Sequence, residues 1–189
     1  MVLKKILYTG FSCFLVVVTY QLLRDIFFVA FTFAIRHSII ISALLNLYVT
    51  GIFVFVGFVF PTHQVLPQSY FVVWNKSTLL SAYKYLGVKY FKYVLLLFFW
   101  RYQKNRKRFF NGTKGGIKNF IYQSIQAETG HFLALITLII IAVWLIILGH
   151  YKAALFTTLI NYVVNFLPVL LQRFHRTRLQ KLTKFKAHS

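Results

Sequence analysis

The chain has 189 residues, of which 59% are hydrophobic, 20% aromatic and 13% charged. A soluble domain has about 45–50% apolar and about 25% charged residues, so the composition excludes an ordinary soluble domain and favours an integral membrane protein. The 22 basic residues outnumber two acidic ones, giving a formal charge of +20, and a single cysteine, Cys13, excludes an internal disulfide framework.

Two apolar runs at the start of the chain predict the first two membrane spans, at residues 6–23 and 38–60. Between them, residues 26–35 are apolar but too short to cross a bilayer, so they extend the first helix, lie at the interface or re-enter. The second span has a polar residue at every fourth position, a spacing typical of hydrogen bonds between membrane helices: Ser42, Asn46 and Thr50.

The segment 61–126 separates the first two spans from the rest. Aromatic residues and lysines interleave through 77–100, which predicts one amphipathic helix at the membrane interface. A polybasic run follows at 101–108, and a glycine-rich loop at 111–116 precedes the next helix. Such a loop can bind phosphate through its backbone N–H groups, but this one lacks the Walker spacing, and a plain turn is the simpler interpretation.

Two further apolar runs, 132–148 and 153–171, predict a third and a fourth span joined by a tight turn into an antiparallel hairpin. The expected fold is an all-α integral membrane protein with about four transmembrane helices plus the interfacial helix. We expect three successive segments: a two-span anchor at 1–60, a basic and aromatic segment at 61–126, and a two-span hairpin with a basic tail at 127–189.

The basic residues predict the orientation of the spans. Nineteen of the 22 lie in the N-terminal tip, the 61–126 segment and the C-terminal tail, and three lie on the other side: Arg24, Arg36 and Lys152. Because positive charge stays inside, both termini and the long segment are predicted to be cytoplasmic. The position of these basic residues beside apolar runs predicts contact with anionic lipid headgroups or a phosphorylated substrate, and argues against nucleic acid as a partner.

A candidate ionisable pair lies at the mouth of the third span. Glu128, one of the two acidic residues, is three positions before His131, so a helix would place the carboxylate and the imidazole on one face. Gly130 between them leaves room for another group to approach. A pair of this kind at a membrane boundary predicts a functional site. The same two residues would also be found if Glu128 only neutralised nearby lysines and His131 only capped the span.

A polar stripe is predicted along the fourth span. At about 100° per residue its members fall within roughly 60° of one another: Asn161, Asn165, Gln172 and Arg176. Arg173 and Arg178 add two further guanidinium groups. Pro168 lies near this face, and because it has no N–H the carbonyl of Val164 needs another partner.

The hairpin is expected to bring the cytoplasmic ends of the third and fourth spans to one level. Glu128 and His131 would then face Gln172, Arg173 and Arg176, although anchoring at the membrane surface would explain the arginines alone. No metal site is expected, because the six histidines are scattered and a carboxylate site needs more than one intramembrane carboxylate. Cys13 lies mid-span and is not expected to be a nucleophile.

These residues form a pattern that resembles the bacterial glycosyl-diaponeurosporenoate acyltransferase family. The pattern consists of Ala127-Glu128-x2-His131 followed by Asn165-x6-Gln172-Arg173-x2-Arg176-x-Arg178-Leu179. Pro67-x2-Tyr70-Phe71 and the basic stretch 100–112 are also similar, and the resemblance covers about residues 55–182.

The resemblance implies a multi-pass enzyme of the bacterial cell (inner) membrane that places a fatty acyl chain on a sugar hydroxyl of a carotenoid glycoside. Its partners would be membrane lipid, the lipid-like glycoside acceptor and an acyl thioester co-substrate, carried by coenzyme A or a carrier protein, with no bound cofactor. His131 would act as general base and Glu128 would orient or stabilise it. The substrate-binding residues would be Asn165, Gln172, Arg173, Arg176 and Arg178.

Two other functional classes are also compatible with the sequence. A non-enzymatic membrane protein would bind anionic lipid or a partner through its polybasic segment, with Glu128 and His131 packing helices. A small transporter is less favoured, because the chain shows no inverted repeat and no charge at mid-membrane.

Overall fold

The computed structural model describes residues 2–29, 33–73, 75–98, 101 and 114–185, apart from the side chains of 63, 114–115, 118 and 178–185. Within these residues the regular elements are helical and no strand occurs, which confirms the all-α class. The α-helices are α1 (Val2–Phe27), α2 (Ile35–Val59), α3 (Lys76–Tyr85), α4 (Val88–Phe98), α5 (Lys114–Ile147), α6 (Tyr151–Asn161) and α7 (Leu167–Phe185).

Four helical stretches are long and apolar enough to cross a membrane: Val2–Phe27, Ile35–Val59, Asn119–Ile147 and Tyr151–Thr177. Their number and order match the sequence prediction, while their orientation stays a prediction. The last two extend further at their polar ends than predicted, because helical structure continues through Glu128 and Arg176. Of residues 26–35, only the first two belong to α1, which ends at Phe27, and 30–32 lie outside the described residues.

The aromatic and basic segment forms two helices, α3 and α4, where the sequence predicted one helix over 77–100. The break occurs at Gly87, whose φ of 75° lies in the left-handed region that side chains disfavour. Asn75 begins α3 by accepting a hydrogen bond from the Thr78 N–H at 3.1 Å. Both helices are too short to span a bilayer, and Tyr90 and Tyr93 stay exposed on α4. The polybasic run and the glycine-rich loop lie outside the described residues over 102–113.

The chain folds into two compact units, each built from two separate stretches of sequence. Unit 1 comprises Met1–Thr62 and Gly130–Phe166, and unit 2 comprises His63–Thr129 and Leu167–Ser189. This grouping in space is a different property from the three successive segments expected from the sequence, which stay a prediction.

Unit 1 has an apolar core that draws on α1, α2, α5 and α6, with Leu45, Leu138 and Leu145 fully buried in it. A Cβ at position 51 would lie 2.7 Å from Cδ1 of Leu15, so the glycine there lets α1 and α2 approach closely. Many large apolar side chains of unit 1 stay exposed, as expected of helices whose outer surface faces lipid.

The polar stripe of α2 packs against α6 inside unit 1. Ser42 Oγ donates to the carbonyl of Ala153 at 2.9 Å, and Thr157 Oγ1 donates to Ser42 Oγ at 3.1 Å. Asn46 Nδ2 donates to the carbonyls of Ser42 and Thr157 at 2.9 and 3.2 Å. These side chains therefore join the two helices where water is excluded.

The hydroxyl pair gives a first prediction. Ser42→Ala and Thr157→Val should each lower the free energy of unfolding in mixed micelles by about 0.6–1.7 kcal/mol, because each removes a bond between helices. In a double-mutant cycle the two losses should not add, since the residues bond each other.

Thr158→Val is the matched control, because the Thr158 hydroxyl bonds only the carbonyl of Ala154 in its own helix, at 2.9 Å. Its effect on unfolding should be smaller than that of Thr157→Val. Equal losses for the two valine variants would contradict the assignment of Thr157 to interhelical bonding.

Candidate functional site

Glu128 is a fully buried carboxylate held by two arginines in unit 2. Oε1 accepts a hydrogen bond from Nε of Arg173 at 2.8 Å, and Oε2 forms an ion pair with Nη1 of Arg176. Arg176 is 2% exposed, whereas 27% of the Arg173 side chain is accessible. The three groups together carry one net positive charge, and α5 and α7 supply them from residues far apart in sequence.

The 3-10 segment Gln68–Phe71 packs on the same arginines. The guanidinium carbon of Arg173 lies 4.4 Å from the centre of the Tyr70 ring, and its Nη2 donates to the Tyr70 carbonyl at 3.4 Å. The guanidinium carbon of Arg176 lies 5.4 Å from the centre of the Phe71 ring. Burial raises the pKa of Tyr70 above its usual value of 10.0, so the phenol is neutral at physiological pH and adds no charge to the cluster.

The other unit 2 residues predicted for the site are Gln172 and Arg178. Gln172 is half-buried, and its backbone carbonyl accepts a hydrogen bond from Ser124 Oγ at 3.5 Å. Arg178 belongs to α7, and its side chain lies outside the described residues. Two residues beyond Gln172, Phe174 stacks on Tyr83 of α3 with ring centres 4.0 Å apart, which fixes α7 against that helix.

His131 lies in unit 1, half-buried, with Nδ1 3.0 Å from Oδ1 of Asn165. An amide oxygen only accepts hydrogen bonds, so this contact requires a proton on Nδ1. The backbone carbonyl of Val164 also lies close to the ring. It lies four residues before Pro168, which has no N–H to offer it, as the sequence indicated.

The orientation of the Asn165 amide follows from a chain of directional hydrogen bonds. The Leu135 carbonyl can only accept, so Nδ2 of Asn161 faces it at 3.1 Å and Oδ1 of Asn161 faces the other way. That oxygen accepts from Nδ2 of Asn165 at 2.9 Å, which leaves Oδ1 of Asn165 toward His131. Thr50 completes the network, with its Oγ1 3.0 Å from Nδ2 and 3.1 Å from Oδ1 of Asn165.

The backbone around Asn165 departs from α-helical geometry. Tyr162–Phe166 forms a π-helical turn between α6 and α7. Such turns occur where the regular hydrogen-bond ladder is interrupted, here just before Pro168, and they are frequent at functional sites. The turn gives Asn165 its place in the network and frees a carbonyl close to the imidazole.

The structure changes the partners expected for the predicted residues. The carboxylate oxygens of Glu128 are taken by Arg173 and Arg176, whereas the side-chain partner of His131 is Asn165. The task of orienting the imidazole, assigned to Glu128 from the sequence, is therefore performed by Asn165. Metal binding has no cluster to support it: the described residues contain no group of three or more His, Cys, Asp or Glu side chains placed to hold an ion.

Four contacting residues were not predicted as site residues: Thr50, Asn161, Tyr70 and Phe71. Thr50 and Asn161 had a usable signal, since each belongs to a polar stripe with four-residue spacing. Tyr70 and Phe71 had no such signal in their spacing, because a short 3-10 turn has no periodicity to read.

The two acidic residues give a second prediction. Glu128→Gln should lower the free energy of unfolding by about 3–5 kcal/mol, because it leaves two arginines without their carboxylate and one of them is buried. Asp25→Asn is the matched control with the same change of charge. Asp25 is 66% exposed and pairs with Arg24 at 3.0 Å, so its loss should be below about 1 kcal/mol. Thermal and denaturant unfolding in detergent measures both, and equal losses would contradict the role given to Glu128.

Comparison with known proteins identifies the family of the chain. The family model described as CrtO, glycosyl-4,4'-diaponeurosporenoate acyltransferase, matches residues 67–184, more than half of the chain. No curated protein and no solved structure matches the chain. The matched range contains the Glu128 cluster, with Tyr70 and Phe71, and both His131 and Asn165. The chain therefore belongs to the glycosyl-4,4'-diaponeurosporenoate acyltransferase family.

Proposed function

We propose that the protein is a membrane acyltransferase that esterifies a sugar hydroxyl of a glycosylated carotenoid, using an acyl thioester as donor. The family match supports the reaction class and the acceptor. Helices long and apolar enough to cross a membrane suit substrates that carry long hydrocarbon chains. The observation that carries the proposal is the hydrogen bond between His131 and Asn165, because it prepares one imidazole nitrogen to accept a proton.

His131 is the general base in this proposal. With the proton held on Nδ1 by Asn165, Nε2 is the nitrogen that takes the proton from the sugar hydroxyl as its oxygen attacks the thioester carbonyl. A C–O bond forms and the C–S bond breaks. The same imidazole returns the proton to the departing thiolate, so no proton is gained or lost overall.

The arginine cluster binds the donor. Arg173 is the accessible member, and its guanidinium suits anionic groups of the donor. Arg178, nearby in the sequence, adds positive charge, and the half-buried Gln172 offers an amide to a polar group of the substrate. Glu128 is a positioning residue, because its oxygens hold the two arginines.

Substitution of the histidine is the direct test. His131→Gln keeps an N–H donor for Asn165 but cannot act as a base, so ester formation should fall by about 10²–10⁴-fold. The assay supplies acyl donor and glycosylated carotenoid to membranes containing equal amounts of wild type, His131→Gln and His131→Ala. His37→Gln, at an exposed position of α2, is the control and should be fully active. Undiminished ester formation in both His131 variants would remove the histidine from the mechanism.

A further inference from the structure

Arg176 is a buried cation whose hydrogen-bonding capacity is only partly used. It is 2% exposed, and its Nη1 pairs with Glu128. Its Nε and Nη2 are also buried and have no hydrogen-bond acceptor among the described residues. A buried guanidinium normally has its donors bonded, because removing charged N–H groups from water without replacement is unfavourable.

The two unmatched donors form one binding edge. Nε–H and Nη2–H lie along one edge of the planar guanidinium and point in parallel, so they fit two oxygens of a single oxyanion. In Arg173 the equivalent edge is taken by protein acceptors, with Nε on Glu128 and Nη2 on the Tyr70 carbonyl. The two arginines share a carboxylate, but only Arg176 keeps this edge for another group.

The net charge of the cluster also favours an oxyanion as the ligand. The groups that meet here are Arg173, Arg176, Glu128 and the neutral phenol of Tyr70, so one positive charge is left without a partner. Burial makes an unbalanced charge unfavourable. A singly charged anion with two oxygens would balance the charge and bond both donors. A phosphodiester has this charge and geometry, and it stays ionised in surroundings that would protonate a carboxylic acid.

We propose that the Nε/Nη2 edge of Arg176 is a binding site for a singly charged phosphodiester. Two sources carry this group: a phospholipid headgroup, and the phosphopantetheine arm of an acyl carrier protein. The second source rests on the proposed function, because it requires an acyl donor. The first does not.

Phe71 packs on the buried guanidinium of Arg176. It is 7% exposed and its ring lies over the Arg176 guanidinium, whose nitrogens solvent does not reach. Because solvent does not reach the edge, neighbouring groups must move when the anion binds. Phe71 is one such neighbour, so Phe71→Ala should speed association. A site with a purely structural arginine would not respond in this way.

The test is a titration of the purified protein in uncharged detergent with short-chain phosphatidylglycerol, followed by thermal unfolding and by binding kinetics. The wild type should be stabilised, and Arg176→Lys should bind about tenfold more weakly, because an ammonium keeps the charge but loses the two-pronged geometry. Arg24→Lys is the control and should bind like the wild type, since Arg24 lies in an exposed pair with Asp25.

The second arm compares carrier protein with and without its phosphopantetheine group. Stabilisation by the modified form alone identifies the donor as the source, and stabilisation by the lipid alone identifies the headgroup; either supports the site. Octanoate serves as a control anion that carries a carboxylate in place of a phosphodiester. A wild type that neither phosphodiester probe stabilises, or that octanoate stabilises equally well, would overturn the proposal. If Arg176→Lys fails to fold, an unchanged association rate in Phe71→Ala would do the same.

His131→Gln separates this inference from the proposed reaction. Anion binding requires no turnover, so this variant should keep wild-type affinity for phosphatidylglycerol while losing ester formation. Loss of acyl transfer alone and loss of anion binding alone are then distinct results.

Discussion

The contact on which unit 2 depends is one buried carboxylate shared by two arginines. Glu128 lies on α5, Arg173 and Arg176 lie on α7, and both guanidinium groups pack on aromatic rings of Gln68–Phe71. A single negative charge thus holds three segments that are distant in sequence. Because the only other acidic residue, Asp25, belongs to unit 1, no other carboxylate within unit 2 could replace it.

The buried side-chain network of unit 1 is built from neutral polar groups, whereas the buried cluster of unit 2 is built from charged ones. The hydroxyls and amides of unit 1 lie between α2, α5 and α6, and each bond has a fixed direction. The direction begins at a backbone carbonyl, passes through two asparagines and ends at the imidazole of His131. This ordered series of hydrogen bonds selects which nitrogen of His131 holds the proton. Packing between the helices and the choice of the protonated nitrogen of His131 are therefore carried out by the same residues.

The two clusters differ in the kind of group that they bury, and the proposals give each a different task. In the proposed reaction, neutral neighbours fix which nitrogen of His131 carries the proton. Anion binding benefits from surplus positive charge in a place that water does not reach. In these proposals asparagines and a threonine serve the first task, and arginines that exceed their carboxylate by one serve the second.

The sequence by itself determined the helical class, the number and order of candidate spans, and most of the residues that make the polar contacts. Hydrophobic runs and four-residue polar spacing are local properties, so one chain is enough to read them. The break at Gly87 was missed, because the interleaved aromatic residues on both sides follow one pattern and the backbone angle of a glycine is not visible in it. Tertiary structure decided the partners: Glu128 and His131 are three residues apart, yet one is bonded to arginines and the other to an asparagine. Partner choice depends on which donors and acceptors arrive from other helices, and on the direction each can bond, which helical periodicity does not specify.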